Sequence, residues 1–209
     1  MMEANLKQQW ELLCAGYSSD RALISQLWDE IEKGYTSKGR HYHTLNHLAY
    51  MLTLEARHKP ASNQQNLLLF AIFYHDIVYS PSRSDNEEKS AAIAEKRLRQ
   101  LGLPASDIAY VREMIMATKS HQAHPDALIN FLVDLDLAVL GADSTSYDAY
   151  SQAVRKEYSI YPDLLYKHGR KKVLQHFLAQ PNIYKTPLFQ QEFEDKARYN
   201  LQQELKRYT

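Results

Sequence analysis

Three interruptions of apolar sequence carry groups that can do chemistry. The first is His75-Asp76, an imidazole beside a carboxylate, set at the end of LLLFAIFY within FAIFYHDIVY. Buried polar groups need partners, and a buried charge has to be paired or bound to a cation. Taken alone, a helix terminus with a polar pair facing water explains the dipeptide equally well. The second interruption is LINFLVDLDLAVLG, residues 128–141, with two aspartates inside an apolar helix. The helical neighbours of Asp136 are Leu132, Val133, Val139 and Leu140, so its carboxyl points into the apolar face. Asp134 has Asn130 and Ala138 at those positions, a face that can reach solvent, and is read as an exposed or supporting group. Two residues apart on a helix is about 200°, so the two aspartates should not share one mononuclear site. The third is RHYHTLNHLAYML, where His43 and His47 stand four apart. That spacing puts them on one helical face and is common among metal ligands. With nine histidines in the chain it also arises by chance. His41, His58, His168 and His176 have no such context and read as solvent-facing.

The elements that must position these groups are helical. Glycine is scarce at six residues, and no alternating run bounded by turn residues resembles a strand. Apolar periodicity predicts helices over 5–15, 20–33, 43–58, from a Ser62 cap to Tyr74, over 86–101, and from Pro104 to Lys119. Others follow over 126–140, 146–158, 164–179 and 187–207. Ser19 or Asp20 caps the second, and Gly102 ends the fifth as a C-terminal glycine does. The expected fold is all-α: one domain over 1–209 of roughly nine or ten helices, with a core of about 40–141 and helices 146–207 packed on it.

Composition narrows the class. Lys+Arg and Asp+Glu are both 25, so the formal net charge is zero. Neither nucleic acid nor an anionic membrane is expected as a main partner. The one cysteine, Cys14, excludes a disulfide framework and a CxxC site, and reads as a small apolar residue of the first helix. MMEANLKQQWELL does not read as a signal peptide, and no apolar stretch approaches ~18 residues. A cytoplasmic location is the expectation.

The ordered set runs His47, then His75-Asp76, then Asp136, each from a different helix. With RHYHTLNH, FYHDIVY, DNEEKSA, ATKSH, FLVDLDLAVLG and EDKARYNL, it resembles the HD superfamily of metal-dependent phosphohydrolases, within it a bacterial branch described as predicted HD-superfamily hydrolases. The resemblance spans nearly the whole chain and specifies no substrate.

The resemblance implies an HD-type helical bundle with a divalent ion held by His47, His75, Asp76 and Asp136. That donor set suits Mn, Fe, Co, Ni, Zn or Mg. Such an ion lowers the pKa of its water toward about 7 and polarises a phosphoryl oxygen, the two needs of phosphoester hydrolysis. The implied substrate is a small phosphorylated metabolite, with nucleotides included. In HD enzymes an acid shortly after the pair often moves the proton. Glu87 is the choice here and Asp85 the reserve, with Asp76 also part of the catalytic set. N-terminal capping by Asp85 or Asn86 explains the same acids and is compatible with that role. His121, with His124 or His43, would hold a second metal or touch substrate. Arg40 and Lys119 are the candidates for phosphate contact, although a cation at a helix C-terminus is also expected from the dipole alone. Tyr42 and Tyr79 could stack on a base, while Tyr74 reads as core. Arg198 reads as an i,i+4 surface partner of Glu194. Three other readings fit the residues: a diiron oxygenase on the same scaffold, a non-catalytic metal- or nucleotide-binding module, and a plain helical interaction protein with the histidines as satisfied core residues.

Overall fold

A computed structural model describes residues 2–60 and 62–208, with side chains from residue 5 onward. Among them the regular elements are all helical: α1 (Met2–Ala15), α2 (Arg21–Tyr35), α3 (Leu45–His58), α4 (Gln65–Tyr74), α5 (Asn86–Gln100) and α6 (Ala105–Ala117). After them come α7 (Ala127–Leu137), α8 (Ser144–Glu157), α9 (Asp163–Ala179) and α10 (Pro187–Lys206), with short 3₁₀ turns at Ala138–Gly141 and Tyr158–Ile160. Contacts gather the chain into two compact units, Met1–His124 and Pro125–Thr209. The expected core of about 40–141 straddles that boundary.

In the first unit α4 is the axial element, packing against α3, α5 and α6. Its sequence is apolar all round, and a helix of that kind belongs in a core. Phe70, Ala71, Ile72, Phe73 and Tyr74 are each at most 1% exposed. Trp10 of α1 sets its edge against Phe70, Phe73 and Tyr74 at ring-centroid distances of 5.8, 5.3 and 5.7 Å. Its indole N–H donates to Ile24 O at 3.0 Å, so the largest core side chain leaves no polar atom unserved. Cys14 is buried beside it, and burial pushes its thiol up to about 12, in keeping with an inert apolar role.

Caps fix the helix starts. The Asp20 carboxylate accepts from Leu23 N at 3.0 Å and opens α2. Thr44, in an extended conformation, accepts from Asn46 N and opens α3. His43 therefore precedes the helix, and the shared helical face expected for His43 and His47 does not exist. The expected Ser62 cap also falls short of α4: Ser62 Oγ accepts from Gln64 N at 3.0 Å and braces the turn before the helix. Gly102 ends α5 at φ +86°, as expected. Gly34, in the last turn of α2, has a different task. A Cβ there would stand 2.9 Å from Ile77 O, so the helix meets the turn after His75-Asp76 main chain to main chain.

The second unit is organised by α10, which packs on α9 and on the Ala138–Gly141 turn. A Cβ at Gly141 would lie 2.6 Å from Phe193 O, which explains the glycine. Asn200 donates to Leu140 O and Ala142 O, both at 2.9 Å, and satisfies the carbonyls released where α7 tightens and ends. Glu204 is fully buried and receives a bidentate Arg170, at 2.8 and 2.9 Å, together with the Tyr147 hydroxyl. Arg198 pairs with Glu194 at 2.8 Å, as its spacing predicts. It is more than a surface partner, since it also donates to Leu178 O, Gln180 O and Pro181 O. No described helix is long and apolar enough to cross a membrane.

Candidate metal centre

The histidine pair is built by two helices of the first unit. His47 lies in the first turn of α3 and His75 is the C-terminal cap residue of α4, its N–H still bonded to Ala71 O at 2.8 Å. Both are buried, at 2% and 1% exposure. Their Nε2 atoms lie 3.2 Å apart. Asp76 follows with 14% side-chain exposure, its Oδ2 3.3 Å from His75 Nε2. One ligand atom from each of the three lies within 4.8 Å of the others.

The protonation of His75 follows from its neighbours. Its Nδ1 is 2.8 Å from Ile72 O, and a carbonyl only accepts, so Nδ1 carries the hydrogen. The neutral ring therefore presents a bare Nε2 lone pair to Asp76 Oδ2 and to His47 Nε2. That lone pair and the Asp76 carboxylate oxygen repel in a buried space unless a positive charge stands between them, and His47, whose Nε2 hydrogen depends on its tautomer, adds a third donor atom beside them. A proton would serve, and so would a divalent cation. The main-chain bond that orients the ring is the support typical of a metal-ligating histidine. Two imidazoles with a carboxylate are donors that borderline divalent ions accept, so the residues present fit a cation.

His43 borders this cluster with its Nε2 3.9 Å from Asp76 Oδ2. Its ring stacks on Tyr79 at a centroid distance of 4.0 Å, and Tyr42 lies edge-on at 4.9 Å. Tyr79 and Tyr42 thus wall the histidines, while Tyr74 is core, as expected. His124 pairs with Glu113 of α6 at 3.3 Å. His121 sits in the left-handed region at φ +50° just past α6. Among the described residues neither His121, His124 nor His43 belongs to a group of three or more metal-type donors. His41, His168 and His176 are exposed, as expected, and His58 is half-buried.

The acids after the pair lie at the start of α5. Asp85 occupies the cap position without a side-chain cap bond, and pairs instead with Arg83 and Lys89 at 2.8 and 3.0 Å. Glu87 is half-buried in the first turn. Glu88 pairs with Lys119, whose ammonium also donates to Ser84 O. The bond from Lys119 holds the Glu88 carboxyl below its usual range, and Glu88 raises Lys119 in turn. Lys119 is thus already engaged with a carboxylate, which argues against its expected place at a phosphate. Asn86 and Ser90, 8% and 0% exposed, hold the segment between the pair and α5. Ser80 N donates to Asn86 Oδ1 and Val78 N to Ser90 Oγ, both at 3.1 Å, and Asn86 Nδ2 returns a bond to Ser80 O at 2.9 Å. Sequence reasoning gave Asn86 only as a possible cap and missed Ser90, although two polar residues four apart in line with Ala94 signal them.

Arg40 also differs from its expected role as a phosphate contact. Its guanidinium donates to Ser37 Oγ and to the carbonyls of His43, Asp76 and Ile77.

In the second unit, Asp136 is half-buried on α7. Asp134 is 0% exposed, which removes the exposed alternative and leaves the supporting one. Its carboxylate accepts from Lys185 N at 2.7 Å and from Thr186 N and Oγ1 at 2.8 and 2.7 Å. Burial pushes its pKa up to about 6 against those donors. The polar flank read as an opening to water is where the chain before α10 crosses the helix.

No family model, curated protein or solved structure matches the chain.

Proposed function

We propose that the chain is a metal-dependent phosphohydrolase acting on a small phosphorylated metabolite or nucleotide. The observation that carries the reading is the His75 ring. With Nδ1 committed to Ile72 O, its Nε2 lone pair faces His47 Nε2 and Asp76 Oδ2 at 3.2 and 3.3 Å, an arrangement completed by a cation. His47, His75 and Asp76 of the first unit would hold the ion, and Asp136 is the fourth ligand that the resemblance to HD phosphohydrolases implies. Its apolar helical flanks and half-buried position support that assignment. A divalent ion bound there supplies Lewis acidity toward a phosphoryl oxygen and an activated water.

The remaining roles belong to side chains beside the ligands. His43, fixed by its stack on Tyr79, presents Nε2 near Asp76 and can hydrogen-bond a substrate oxygen. Glu87, half-buried in the first turn of α5, is the group proposed to take and return the proton. Among the acids of that turn, Asp85 and Glu88 already have ion-pair partners.

The test is elemental analysis of the purified protein, followed by a panel of nucleotides and sugar phosphates with added Mn, Fe, Co, Ni, Zn or Mg. Near-stoichiometric metal and metal-dependent release of phosphate are the expected results. Stoichiometric metal without turnover of any phosphoester would remove the hydrolase and leave a binding module.

A further inference from the structure

The backbone around Asp76 is gripped from both sides. Its N–H donates to Tyr35 Oη at 3.2 Å, and its carbonyl accepts from Arg40 Nη1 at 2.7 Å. The same Nη1 reaches His43 O at 3.0 Å, and Nη2 reaches Ile77 O at 2.9 Å. The guanidinium carbon lies 5.0 Å from the Tyr35 ring centroid and 5.6 Å from that of Tyr79, within cation–π range of both. Tyr35 itself is fully buried. One planar fork therefore joins the segment before α3, which carries His43, to the turn after α4, which carries His75 and Asp76.

We infer that Arg40, seated on Tyr35, is a positioning residue that sets the Asp76 carboxylate relative to the two histidines. The inference rests on the metal reading above and assigns these residues a task within it. Three carbonyls converge on the guanidinium from two segments of chain. Only a rigid multi-donor group can serve them together, and a lysine ammonium on a flexible stem cannot reproduce that fork. Part-buried carbonyls left without donors would rotate, and the Asp76 side chain would move with its peptide. Tyr35 adds the second constraint, so the peptide before Asp76 and the peptide after it are both fixed.

The experiment is a Co²⁺ titration of the metal-free protein, followed by its d–d absorption band, for the wild type, Arg40→Lys and Tyr35→Phe. Arg97→Met, which breaks the Glu30–Arg97 pair of the same unit, serves as a control for destabilisation alone. Circular dichroism melting is run on all four. Arg40→Lys is expected to weaken Co²⁺ about 10- to 100-fold and to shift the band, as loss of a group that orients a ligand does. Tyr35→Phe is expected to do so to a smaller degree, and Arg97→Met to keep the wild-type band. Should Arg40→Lys fail to fold, Tyr35→Phe decides, because it removes one hydroxyl and keeps the ring. Variants with wild-type affinity and band, or a change no larger than in Arg97→Met, overturn the inference alone. A wild type that takes up no cation overturns the metal reading and the inference with it.

Discussion

His47 and His75 are 28 residues apart in sequence, yet their buried side chains bring their Nε2 atoms to 3.2 Å of each other. The His75 ring is anchored through Nδ1 to a carbonyl, so it cannot relax by simply turning away. Removing one imidazole should therefore act on cation binding before it acts on the fold. His75→Ala is expected to lose metal on purification, and added Mn²⁺ or Co²⁺ should no longer raise its melting temperature. The wild type should gain about 2.7 kcal/mol at a cation concentration of 100 times Kd. A variant melting curve that still responds to the ion would contradict this.

Asp134 and Asp136 should separate cleanly. Asp136→Ala is expected to abolish metal retention. Asp134→Ala should keep the metal but destabilise the fold on the order of 3 kcal/mol, because it strands the N–H groups of Lys185 and Thr186. Metal content and urea midpoints of both variants make the comparison, and equal metal loss in the two would defeat the assignment.

Glu87→Gln should lower kcat by about 10²- to 10⁴-fold while metal content stays at the wild-type level. Asp85→Asn, which touches only the Arg83 and Lys89 pairs, should leave kcat near wild type. A pH profile of kcat is the sharper measurement, since the Gln variant should lose one limb of it.

The ion pair in the second unit predicts how the protein responds to acid. Burial raises the Glu204 carboxyl, but the bonds and charge of Arg170 and the Tyr147 hydroxyl outweigh it, and its pKa falls below the ordinary 4.5. A depressed acid stabilises the fold above its unfolded pKa and loses that contribution as pH falls through the folded one. The stabilisation should be complete above about pH 4.5 and fade below it. Glu204→Gln should flatten that acid limb in denaturation midpoints taken between pH 2 and 7. At neutral pH it should cost about 3–5 kcal/mol, since Arg170 stays buried without its partner. An acid limb identical to wild type would refute the role.

Helices were legible in the sequence because apolar periodicity and caps are local. Asp20, Gly102 and the all-apolar α4 announce themselves within a few residues. His47, His75 and Asp76 were legible because each breaks an apolar stripe. What stayed hidden depends on main-chain acceptors distant in sequence. Arg40 looks like any basic residue in a polar turn, and the carbonyls of Asp76 and Ile77 that it serves have no residue-type signature. The exposed alternative for Asp134 fails for the same reason, because its partners are the amides of Lys185 and Thr186, about fifty residues downstream.

Gly34 sets a tolerance. A Cβ here would meet the Ile77 main-chain oxygen at 2.9 Å and the Ile77 Cγ1 at 3.0 Å, and a carbonyl cannot yield by changing rotamer as a side chain does. The oxygen met there is one that Arg40 holds. A misfit of a few tenths of an ångström at this joint would pass undamped into the turn that carries His75 and Asp76, whose exactness is limited by a residue that contributes no atom beyond its backbone.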